Sequence, residues 1–107
     1  MTKRSYTPRR TDGNHAAVVE ALRAIGASVL DIHDIGHGAP DLIVGFRAMN
    51  LLIEVKDDRQ PPSHRRLTPD EQQFFDDWRG PIYVVYSPAD AIDVVNRMTM
   101  QDDGIPF

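Results

Sequence analysis

Apolar and polar positions change their period several times along this chain, and each change marks a predicted element. Val18, Val19, Leu22 and Ile25 recur at ~100° per residue, which predicts an amphipathic helix over residues 13–25. Asp12 is placed to cap its N-terminus and Gly26 to stop it. Residues 28–33 then read as a strand, and a glycine-rich turn over 35–40 leads into a second strand at 41–46. Residues 47–50 look like a hairpin connection to a third strand at 51–56. A polar stretch from 57 to 66, carrying Pro61 and Pro62, should be extended and exposed.

Thr68-Pro69-Asp70-Glu71 is a strong helix start: a hydroxyl N-cap, proline at the first helical position, acids in the first turn, and Glu71 placed to close a capping box. That helix is expected to run to Trp78, burying Phe74, Phe75 and Trp78. Residues 82–86 are β-branched and aromatic, hence a buried strand. Ser87 caps a last helix with Ala91, Ile92, Val95 and Met98 as its inner face. The order α-β-β-β-α-β-α describes an α/β sandwich with a mixed sheet rather than a strictly alternating, doubly wound fold. Residues 1–11 lack periodicity and read as a mobile basic arm, 12–99 as one domain, and 100–107 as a tail.

With 107 residues the chain can bury a core unaided. It has no cysteine, which excludes disulfides, zinc–thiolate sites and thiol catalysis. No apolar run approaches the ~20 residues of a membrane span, and the basic N-terminus has no apolar segment behind it; a cytoplasmic protein is expected. Net charge is −4, but its distribution is uneven. Lys3, Arg4, Arg9, Arg10, Arg59, Arg65 and Arg66 are seven of the twelve basic residues, and they lie in two segments without acids. Such segregation can make a local positive surface on an acidic protein, although a frayed tail and a solvated loop would look the same.

The third predicted strand carries the chemistry. Leu51, Ile53 and Val55 share one face, which leaves Leu52, Glu54 and Lys56 on the other. A carboxylate and an ammonium thus share one side of an apolar strand, about 6.5–7 Å apart between Cα atoms. Asp41 opens the neighbouring strand, and a hairpin around 47–50 would bring it near Glu54. Two carboxylates at a strand end suit a hard cation such as Mg²⁺ or Mn²⁺. A lysine beside that ion could orient water or stabilise charge on a phosphate, the minimum equipment for metal-assisted phosphodiester hydrolysis.

Gly38-Ala39-Pro40-Asp41-Leu42-Ile43-Val44 followed by Leu51-Leu52-Ile53-Glu54-Val55-Lys56 resembles the signature of the PD-(D/E)XK nuclease superfamily. It is most similar to the VRR-NUC branch and its small phage and prophage members, which are related to Holliday-junction resolvases. The likeness extends over roughly residues 12–97. It implies a restriction-endonuclease-like αβββαβ core, dependence on Mg²⁺ or Mn²⁺, cleavage of DNA (branched DNA in particular) and a homodimer. It also implies that Asp41 and Glu54 are metal ligands, that the Val55 carbonyl completes the protein's share, and that Lys56 assists the attacking water.

The chain departs from this pattern twice. Many relatives place a metal-reaching glutamate on the first helix, but Glu20 lies about 170° from the mean apolar direction there. Asn14 projects within roughly 70° of that direction and is the better accessory candidate. Relatives also tend to show a glutamine where this chain has Glu71, with Gln72 next to it; either could reach the site. For DNA contact the candidates are Arg9, Arg10, His37, Arg59, Arg65 and Arg66, with the arginines suited to bidentate phosphate binding. His15, His33, His37 and His64 show no ligand-like spacing. The alternative to a nuclease is an inactive nucleic-acid-binding or protein-interaction module that keeps the fold.

Overall fold

A computed structural model of the chain describes residues 13–100; the arm with Arg9 and Arg10, the predicted cap Asp12 and the tail from residue 101 lie outside the described residues. The elements run α1 (His15–Ala24), β1 (Ser28–Asp31), β2 (Leu42–Phe46), β3 (Met49–Val55), α2 (Pro62–Arg65), α3 (Pro69–Asp77), β4 (Ile82–Val85) and α4 (Pro88–Thr99). The sheet order is β1-β2-β3-β4. The first three strands form an antiparallel meander, and β4 returns through α2 and α3 to pair parallel with β3. This is an α/β fold with a mixed sheet.

Register assigns the two faces. Leu42 lies opposite Ile53 and Val44 opposite Leu51, and Val55 opposite Val85, so these side chains share one face. They are fully buried, and with Val18 and Leu22 of α1 and Ala91 and Val95 of α4 they form the core. Ile43, Leu52 and Val84 alternate to the second face, where they are only half-buried. Glu54 is on that second face, and Lys56 lies one step beyond the strand end.

Several boundaries and contacts differ from the sequence reading. The helix start is at Asn14, not Asp12, and the Asn14 side chain makes no cap bond. β1 ends at Asp31, not residue 33, because Asp31 Oδ1 accepts the His33 amide and turns the chain out of the ladder. The β2–β3 connection is a two-residue turn at Arg47 and Ala48, both with positive φ (51° and 65°), so β3 begins at Met49. The loop after residue 57 holds one helical turn, α2, started by Pro62, whose ring fixes φ at a helical value. No residue of α3 is buried. Phe74 and Phe75 are half-buried, and Trp78 remains 46% exposed, stacked on Phe74 with ring centroids 5.3 Å apart.

α3 is positioned from its N-terminus. Thr68 Oγ1 accepts the Glu71 amide at 3.2 Å while a Glu71 oxygen accepts the Thr68 amide at 2.9 Å, closing the capping box. The first turn then rests on the glycine turn before β2. A Cβ at Gly38 would overlap the Asp70 carbonyl, and Gly38 has φ 78°, so both the approach and the backbone conformation require glycine.

Candidate active site

The C-terminal end of β3, the start of β2 and the first turn of α3 bring four charged side chains together. Asp41 and Glu54 are 8% and 5% exposed, and Lys56 is 7% exposed. Asp41 Oδ2 accepts the Val55 amide at 2.8 Å, which fixes this carboxyl against the β3 main chain. Lys56 Nζ donates to Glu71 Oε1 at 2.9 Å and lies 3.6 Å from Glu54 Oε2. The tight partner of Lys56 is therefore Glu71, with Glu54 next to it. The Glu71 oxygen that closes the capping box is the same one that holds the lysine.

Electrostatics separates the three acids. Burial pushes the Glu54 carboxyl up, the Asp41 and Glu71 charges push it further, and it reaches about 9 despite Lys56. Asp41 is also raised, mainly by burial, against the hydrogen bond from the Val55 amide. For Glu71 burial acts upward too, but the Thr68 amide and the Lys56 ammonium outweigh it, and the net shift is downward. The opposite shifts favour the protonated form at Glu54 and the ionised form at Glu71. Three carboxyl groups thus gather beside one ammonium.

The other candidates fall at different distances from this cluster. Gln72 does not join it: its Nε2 donates to Asp76 on the next turn of α3, pointing it along the exposed helix surface. Glu20 is exposed. Asn14 is 4% exposed, donates from Nδ2 to the Tyr86 carbonyl at 3.0 Å, and leaves its buried Oδ1 with no hydrogen-bond partner. Tyr86 follows β4, whose Val85 carbonyl accepts the Lys56 amide, so Asn14 sits at the same end of the sheet.

Arg59 is committed to folding its own turn. Its main-chain amide, Nε and Nη2 all donate to Asp57, which is 1% exposed and held at about 2 by those bonds. His37 is exposed at φ 59° in the glycine turn. Arg65 and Arg66 line a groove of about 600 Å³ with Tyr86 and Pro62.

The sequence reading missed one constellation. His15 and His33 converge on Asp31, although their spacing along the chain gave no sign of it. The missing signal was the geometry of the α1 start beside the end of β1. No protein-family model, curated protein or solved structure matches this chain.

Proposed function

We propose that this protein is a divalent-metal-dependent DNA endonuclease of the PD-(D/E)XK type, hydrolysing phosphodiester bonds. The observation that carries this reading is the clustering of buried Asp41 and Glu54 and half-buried Glu71 beside a single ammonium, Lys56. If all three acids were ionised, this cluster would carry two uncompensated negative charges. Without another cation, burial forces Glu54 to keep a proton. An oxygen-rich set with surplus negative charge fits Mg²⁺ or Mn²⁺, and the unpartnered Asn14 Oδ1 at the same end of the sheet fits an ion's hydration shell.

In this reading Asp41 and Glu54 hold the ion together with the Val55 carbonyl. A bound ion would supply Lewis-acid polarisation of the scissile phosphate. Asp41 is preset for its part by the Val55 amide. Lys56, held by Glu71 at a fixed distance from Glu54, orients the attacking water and offsets charge developing on the phosphate. Glu71 is thus the positioning residue for the lysine. His37, Arg65 and Arg66, with Arg9 and Arg10, grip the DNA backbone without reading its sequence, and branched DNA cut by a homodimer is what the family resemblance implies. A cytoplasmic setting belongs to the same reading. An inactive binding module would have no use for buried acids that destabilise one another.

The test is incubation of branched, flapped and linear DNA with the protein and Mg²⁺ or Mn²⁺, with and without chelator. Chelator-sensitive cutting that favours the branched forms is expected. No cutting of any form, or cutting indifferent to chelator, contradicts the reading.

A further inference from the structure

We propose that His15, Asp31 and His33 form a binding site for a divalent transition cation of the zinc type, distinct from the carboxylate cluster at Asp41 and Glu54. His15 Nε2 lies 2.8 Å from Asp31 Oδ2, and His33 Nδ1 lies 2.6 Å from Asp31 Oδ1. One ligand atom from each residue falls within 4.8 Å of the other two. Ligands at about 2.1 Å around a tetrahedral ion lie about 3.4 Å apart, so the 2.8 and 2.6 Å contacts to Asp31 would open by under about 1 Å as an ion replaced their hydrogen bonds. The two rings face each other edge-on, with centroids 5.2 Å apart at 66°.

Two features beyond proximity point to a ligand. His33 offers Nδ1 to the centre while its Nε2 lies 3.3 Å from Asp34 Oδ1. A metal-bound imidazole commonly has such an outer carboxylate, which fixes its tautomer and raises its basicity. A groove of about 430 Å³ also opens on His15 and Asp31, giving an ion and its remaining waters a way in. Two imidazoles and one carboxylate prefer Zn²⁺ or Co²⁺ over Mg²⁺, which takes oxygen donors. The residues come from the first turn of α1, the last position of β1 and the loop after it. A bound ion would tie that helix start to the segment leading to Asp41.

Untagged protein freed of ions with chelator is titrated with Zn²⁺ by calorimetry, and with Co²⁺ by visible absorption. Wild type should bind one Zn²⁺ and gain a Co²⁺ d–d band, with the His15 and His33 ring nitrogens shifting by NMR. His33→Ala and Asp31→Asn should weaken Zn²⁺ binding by about 100-fold or more. Glu54→Gln should leave it within about threefold, because Glu54 is not a ligand here. Because His33 is only partly buried, its replacement should leave the fold intact by circular dichroism. The proposal is overturned if wild type binds no Zn²⁺ or its histidine nitrogens do not shift. It is equally overturned if binding persists in His33→Ala and disappears in Glu54→Gln. None of these outcomes depends on DNA cleavage, so this site and the nuclease reading fail separately.

Discussion

Glu54 is the residue whose environment departs furthest from that of an ordinary side chain. Its carboxyl is at about 9 instead of 4.5, through burial first and the neighbouring Asp41 and Glu71 charges second. Between those two values the folded, metal-free protein binds more protons than the unfolded chain, so the slope of unfolding free energy against pH is negative. Metal-free protein should therefore lose stability as pH rises from about 5 through about 9, measured by thermal melts across that range. Glu54→Gln keeps the shape without the charge. It should raise Tm by about 5 °C at neutral pH, flatten that pH dependence, and lower DNA cleavage by at least about 100-fold. A variant that melts lower at every pH would show that Glu54 is no buried, protonated acid. The gathering of Asp41, Glu54 and Lys56 was legible because a charged pair alternates with buried aliphatics on a strand. The choice between Glu71 and Gln72 was not legible, since adjacent helix positions differ by ~100° and only the docking of α3 decides which faces the lysine.

Each element explains one such docking. The capping box of α3 is both a helix start and the support of Lys56, so Thr68→Ala should cost about 1 kcal/mol in denaturant melts. It should also lower kcat, since the Glu71 amide loses its acceptor, Thr68 Oγ1, which helps seat the residue that holds Lys56. Gly38→Ala acts from the other side of the same contact. The added Cβ overlaps the Asp70 carbonyl and the residue sits at φ 78°, so a loss of about 2 kcal/mol or more is expected, along with displacement of the α3 start. The β2–β3 turn offers the opposite sign. Ala48 sits at φ 65°, a left-handed conformation that glycine adopts without penalty, so Ala48→Gly should stabilise by about 1 kcal/mol. The strands and three of the helices follow from period and caps. The one-turn α2 was not legible, because four residues show no periodicity and its start depends on the geometry Pro62 imposes. Trp78 was misplaced because aromatic content says nothing about whether a facing layer exists; here the second sheet face is covered only partly.

On the scale of the whole molecule, α1 and α4 seal one face of the sheet with aliphatic side chains, while the other face carries the charged cluster near the strand ends. No helix among the described residues is long and apolar enough to cross a membrane. The net charge of −4 means that any hold on DNA depends on local basic groups, and among the described ones Arg65 and Arg66 lie together on the groove at Tyr86, which Asp58 and Asp90 also line. Arg66→Ala should weaken DNA binding across sequences and reduce the slope of log affinity against log salt by about 1, measured by fluorescence anisotropy. An unchanged slope would move the contact elsewhere. The fold class could be read from element order, but the gathering of His15, Asp31 and His33 could not. It is set by how α1 packs against the sheet, a long-range consequence of the core that no local spacing encodes.

The most direct test of the central claim is single-turnover cleavage of a junction-containing DNA with saturating Mg²⁺, wild type beside Lys56→Ala and Asp41→Asn, with each variant shown to be folded. Mg²⁺-dependent cutting by wild type that falls by about 100-fold or more in both variants is the predicted result. Equal cutting by all three folded proteins, or none by wild type, would contradict the assignment of these buried groups to phosphodiester hydrolysis.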